Sequence, residues 1–229
     1  MSNNAGFSAP VNYWGTIAGL TAKSSSDGKN SNEAEAPNQF GDTIAHDEYG
    51  ETLAPSVEYA VTDEVDLSDI VLGKVYTFGT SNAKKLMLTQ CQVNTQAANP
   101  PTVTLSGVEV ESSATDKRLY ELEGTITPRS RAQDVAGAFA TDEKITAVNT
   151  TFSVDPHVQT VKGTPVASDA SHGKVEAQAT MTDGTGSGAL SAGTGFTITS
   201  SEAESDPDAG YRTLTATATK YMTGVEQDS

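Results

Sequence analysis

Aromatic side chains are scarce in this sequence: they make up 6% of the residues, and Trp14 is the single tryptophan. An interior of large rings is therefore excluded, and any core must be built mainly from aliphatic and small side chains. One cysteine, Cys91, excludes an internal disulfide framework. It sits in the apolar-rich run Leu86–Val93, which predicts a buried thiol acting as a small hydrophobe. Three histidines, His46, His157 and His172, are far apart and none has ligand spacing to another His or Cys, whereas zinc needs three or four such ligands. Positive charge is also short, with 14 Lys and Arg against 30 Asp and Glu, for a formal charge of −16. That balance repels phosphate backbones and argues against a protein that reads nucleic-acid sequence. No run approaches the ~20 apolar residues of a membrane-spanning helix. Met1–Pro10 has neither the basic nor the apolar region of a signal peptide, so synthesis in the cytoplasm is expected.

Catalytic motifs are missing too. There is no phosphate-binding loop, no dinucleotide-binding glycine pattern after a strand and no nucleophile-elbow serine. Gly184-Thr185-Gly186-Ser187-Gly188 is glycine-rich, but no helix start follows it to complete a phosphate cradle. Asp63–Asp69 and Asp206-Pro207-Asp208 gather carboxylates without matching a calcium loop. The expectation is a non-enzymatic protein with no catalytic residues, metal or cofactor.

What is present is β-pattern. Strands are predicted at 56–62, 70–78, 85–94, 102–111 and 119–127, and again at 145–154, 158–162, 174–181, 195–201 and 211–221. Thr213–Thr219 alternates with a strict period of two. Turn chemistry separates the strands, as at Asn99-Pro100-Pro101 and Asp183-Gly184. The best helix candidate is 131–144, with Asp134 as a cap of a short Ala-rich turn; a loop with one helical turn fits the same residues nearly as well. Residues 1–41 are rich in Gly, Ser and Asn. They read as an extended N-terminal arm in which only Tyr13, Trp14 and Ile17 offer anchors.

Short echoes run through the chain in one order: Ser56–Val61 with Ser153–Val158, Gly73-Lys74-Val75 with Gly173-Lys174-Val175, and Thr104–Ser112 with Thr197–Ser205. Leu119–Thr125 and Tyr211–Thr217 follow as alternating strands. They predict an all-β fold of two tandem β-sandwich or barrel-like units related by internal duplication, at 42–140 and 141–229, with at most one short helix. Long hairpins such as Asp183–Thr194 are of the length that usually carries function.

In these features, with strands ending in Arg212-Thr213-Leu214-Thr215-Ala216-Thr217-Ala218, the chain resembles virion proteins of tailed bacteriophages, above all tail tube (major tail) proteins. The resemblance covers residues 42–222 in general character and transfers no residue by position. It implies a virion protein made in the host cytoplasm. Its subunits would stack in rings from β-sandwiches, some with two fused copies, around an acidic lumen that passes DNA without binding it specifically. Its partners would be copies of itself and other virion proteins, with no membrane. Inter-subunit contacts are expected at Tyr13, Trp14 and Ile17 and at Asp183, Gly184, Gly186 and Gly188. Two other readings stay open. One is a capsid decoration, cement or neck protein; the other is a carbohydrate-binding or adhesin module, which would need an exposed aromatic cluster.

Overall fold

The computed structural model describes residues 9–37, 43–79, 83–140, 145–183, 190–206 and 211–227. In chain order the strands are β1 (Leu20–Ser26), β2 (Lys29–Pro37), β3 (Thr43–Leu53), β4 (Ser56–Val61), β5 (Val65–Asp66), β6 (Val71–Leu72), β7 (Val75–Phe78) and β8 (Lys84–Gln96). They continue with β9 (Asn99–Val110), β10 (Arg118–Glu121), β11 (Thr125–Ile126), β12 (Ile145–Val161), β13 (Thr164–Asp183), β14 (Thr197–Asp206), β15 (Tyr211–Tyr221) and β16 (Val225–Glu226). The fold is all-β. Among the described residues the only helical piece is a 3₁₀ turn, Leu67–Asp69, whose first N–H groups are capped by Asp66 through Ser68 N at 3.0 Å.

One antiparallel sheet dominates, in the order β1-β4-β9-β8-β12-β13-β15-β14, with β7 paired beside the first part of β8. Alternation explains which face is buried. The register lines up Val57, Leu105, Cys91, Phe152 and Val175 across five strands, all buried. One residue along, the row Ser24, Glu58, Thr104, Gln92, Thr151, Glu176, Thr219 and Thr197 crosses all eight strands of the path on the other face. Short ribbons, β16-β10-β6 and β11-β5, form a second layer over the apolar face. Leu67, Ile70, Leu72, Tyr120, Leu122 and Ile126 come down from it into the core. The result is sandwich-like, with one large sheet and one fragmentary layer.

The sequence expectations meet this structure unevenly. The strands predicted from 56 to 127 and from 145 to 221 fall on β4 to β15, although 145–154 and 158–162 are one continuous strand, β12. The two expected units share a single sheet, because β12 pairs directly with β8 over Ala147–Ser153. The echoed segments do not take equivalent places. Thr104–Ser112 lies largely on the central strand β9 whereas Thr197–Ser205 lies on the edge strand β14. Gly73 is in a turn with φ +83, while Gly173 lies within β13. The topology therefore displays no duplication.

Two further expectations are decided by the structure. Residues 131–140, the described part of the helix candidate, form an irregular loop. Gln133 is tied through its backbone to Thr95 and through its side chain to Thr127, while the Asp134 carboxylate accepts from Phe139 N at 2.7 Å. These side-chain bonds replace the helical ladder. The loop then pairs with the 190–193 segment through Ala140 N to Ser191 O and Gly193 N to Ala138 O. The N-terminal stretch is not a free arm either. From residue 9 to residue 26 it belongs to the fold, and β1 closes one edge of the sheet against β4.

Candidate functional site

Tyr13 and Trp14 are buried at 6% and 2% exposure in the chain's own core. The Trp14 indole N–H donates to Leu105 O at 3.2 Å, and its ring lies edge-on to Tyr76 at 5.6 Å. It occupies the space above Gly107, where any Cβ would collide with the indole. Tyr13 packs on Phe78 at 4.7 Å, and Ile17 is half-buried against the same core. Burial of the only tryptophan in an aromatic-poor chain explains the placement, since it removes the largest apolar surface available. As inter-subunit anchors Tyr13 and Trp14 are therefore corrected to core residues. Asp183 ends β13, paired with Arg212. Gly184, Gly186 and Gly188 lie outside the described residues.

Two surfaces remain that sequence reasoning did not assemble. The first is the open face of the main sheet. Besides the row already named, Thr102, Asn94, Asn149, Gln178 and Thr217 cross it in register. It is a wall of hydroxyls and amides. Lys23 pairs with Glu58 at 2.7 Å and Lys174 with Glu176 at 2.6 Å. Glu202 and Glu204 add acid on β14, opposite Thr215 and Thr213. Glu58, Glu176, Glu202 and Glu204 against Lys23 and Lys174 sum to −2, and Asp155, in step with Thr151 and Ser153 on β12, adds further acid beside Lys174. The signal that could have revealed it is the polar half of each alternating strand, read together rather than strand by strand.

Both ends of this sheet are edges: among the described residues neither β1 nor β14 has a partner on its outer side. Successive strands are antiparallel, and the path has an even number of strands. The two edges therefore run in opposite directions.

The second surface is a cleft of about 570 Å³ where the second layer parts from the sheet. Its floor is Leu122, Phe152, Val175, Phe196 and Met222, and its rim carries Asp66, Glu121, Glu123, Lys220 and Val225. The Lys220 ammonium lies 5.7 Å from the Phe196 ring centre and 3.8 Å from Glu123. The hydrogen bond from Ser68 N holds the Asp66 carboxyl below the usual carboxylate range.

Elsewhere, burial acts on groups in the core. Burial pushes the Cys91 thiol up to about 12 and raises the Tyr59 and Tyr76 phenols. Such a thiol is a poor nucleophile. Among the described residues no group of three or more His, Cys, Asp or Glu side chains is arranged to hold a metal ion, and no helix is long and apolar enough to cross a membrane. The acidic run 63–69 is engaged locally, with Asp63 accepting from Glu64 N at 2.8 Å. Tyr59 and Tyr120 are buried and Tyr76 is half-buried, so these three tyrosines offer no platform for a sugar. No family model and no curated protein matches this chain.

Proposed function

We propose that this chain is a structural subunit that polymerises with copies of itself through the edges of its main sheet, as in the tail tube of a tailed phage. The observation that carries this reading is the even-stranded antiparallel sheet with two unpaired edges. In a ring every copy points the same way along the axis. The outer edge of β14 in one copy then meets β1 of the next in the antiparallel sense, and the sheet continues from subunit to subunit. Unpaired strand edges are templates for such addition. Each copy brings the same two different patches, a head-to-tail contact that closes into rings.

The polar face suits the wall of such a ring. Hydroxyls, amides and an excess of acid, with Lys23 and Lys174 each paired to a glutamate, would offer DNA no unpaired cation, so counterion release would give it little affinity. A virion location and passage of DNA belong to this same reading. A capsid decoration or neck protein would use similar architecture on a lattice built by other proteins.

Negative-stain electron microscopy across a concentration and salt series tests the reading. Rings or hollow tubes are expected, and more of them as salt rises, because screening weakens the repulsion between subunits of charge −16. A monomer at every condition overturns self-assembly and favours the decoration or neck role.

A further inference from the structure

Exposed large apolar side chains are few among the described residues. Two of the five, Val161 at 59% and Val166 at 50%, lie at the tip of the β12–β13 hairpin, and two more, Tyr221 at 75% and Val225 at 57%, line the cleft. Exposed apolar groups gathered in one place and rimmed by polar residues mark interaction sites, and the tip and the cleft each carry such a pair. We infer that the tip of the β12–β13 hairpin of one copy seats in the cleft between the sheet and the second layer of another copy. This inference rests on the self-assembly reading and names a contact distinct from the sheet edges.

The tip is built as a rigid plug. Lys162 and Gly163 have φ of +48 and +75, the two positive values of a tight two-residue hairpin turn. Val161 pairs with Thr164, and Val166 is the extra residue where the register shifts between Gln159 and Thr160. Pro165 stiffens the returning strand. A segment already ordered in its bound shape loses little entropy on docking.

The chemistry of tip and cleft is complementary. The tip presents two valines around the exposed ammonium of Lys162. The cleft presents an apolar floor under three carboxylates, Asp66, Glu121 and Glu123, against one cation, Lys220. Its volume lies within the roughly 300–1,000 Å³ of ligand-sized sites. Docked there, the valines would leave water and Lys162 would meet the acidic rim.

The hairpin cannot fill its own cleft. Val175 is part of the cleft floor, and Thr164 at the tip lies on the same strand. Eleven residues of strand, bent once at the bulge of His172 and Gly173, separate them by up to roughly 35 Å. Nearer its base the hairpin is pinned to the body, with Lys117 Nζ donating to Ser168 O at 2.5 Å. The occupant must come from a second copy. A plug and a socket on the same subunit make a head-to-tail contact, which propagates as an open stack wherever its rotation does not close a ring.

Chains with one added cysteine test this, because the native Cys91 is fully buried and stays out of the reaction. Val161→Cys and Val225→Cys chains are mixed under oxidising conditions, with particles followed by electron microscopy and folding by circular dichroism. A mixed disulfide dimer is expected, along with a ladder from the chain carrying both substitutions. Lys162→Glu should raise the concentration at which particles form about tenfold, and Glu123→Lys in that background should restore it. Particles that form without the mixed disulfide and are indifferent to Lys162→Glu overturn this contact while leaving edge assembly intact. A cross-link only between two Val161→Cys chains also overturns it. So does unchanged assembly with retention on a polysaccharide gel that Tyr221→Ala abolishes, which would give the cleft to a sugar. If neither particles nor cross-links form at any condition, the self-assembly reading fails and this contact fails with it.

Discussion

The two halves of the main sheet are packed in different materials. A single buried row shows it: Tyr59, Val103 and Val93 on β4, β9 and β8 give way to Thr150, Ala177 and Ala218 on β12, β13 and β15. The first half is filled by Trp14, Tyr59, Leu86, Leu88 and Leu105 beneath the strands of the second layer. The second is floored with Ala177, Ala179, Ala216 and Ala218 and covered by loop residues such as Phe139 and Leu190. Small side chains let covering loops approach closely, but they bury little apolar area per residue. The first half should therefore hold most of the folding free energy, and the second half should be the more easily opened.

The largest expected effect is that of Trp14→Ala, at about 3–5 kcal/mol of unfolding free energy by urea denaturation, since it removes the largest fully buried side chain and leaves a cavity. A loss below about 1 kcal/mol would mean that the N-terminal segment is not part of the cooperative core. A paired test sharpens the contrast. Leu105→Ala should cost about 3–4 kcal/mol and Leu214→Ala about 2 kcal/mol, because loops around Leu214 can settle into the space where strands around Leu105 cannot. Equal costs would break the comparison.

Alkali should attack the first half preferentially. Cys91, Tyr59 and Tyr76 all lie there with pKa values raised by burial, so folding favours their neutral forms. That contribution is complete below the unfolded-state values of about 8.5 for Cys and 10 for Tyr, and it is lost as pH rises towards the folded-state values. Melting temperature should be level to about pH 8.5 and fall beyond it. Cys91→Ala should delay the onset of that fall while lowering the plateau.

The smallest effect is expected at the junction of the halves. Thr150 is fully buried on β12, and its hydroxyl has no hydrogen-bond partner among the described residues. Thr150→Val keeps the shape and removes the unsatisfied group, for a gain of about 1 kcal/mol in urea denaturation. Destabilisation instead would point to a water serving that hydroxyl.

The same contrast marks what could be read from the sequence. Alternating Val, Leu and Thr announced β4, β8, β9, β12, β13 and β15, because their period is a local property. The hairpin of β2 and β3 was not legible. Lys29–Pro37 is made of Lys, Asn, Ser, Glu, Ala and Pro, poor strand formers that gain their ladder only from pairing with β3. Trp14 misled for a related reason, since its hydrogen-bond partner Leu105 is 91 positions away. Gly107 was the available clue: an isolated glycine inside a strand pattern marks a close approach by something large. The cleft had no local signature at all. It arises where two layers diverge, and its floor is drawn from β12, β13 and three loops.

The even strand count also restricts how such a chain can change through descent. Insertion of one extra strand in the path would reverse one edge relative to the other, so that copies arranged in a ring would meet in parallel rather than antiparallel. Insertion of a whole hairpin would leave the edges matched and widen the subunit by two strand spacings, roughly 10 Å. Relatives that joined through these edges would therefore differ in size by hairpins such as β14–β15, and single-strand intermediates would be missing.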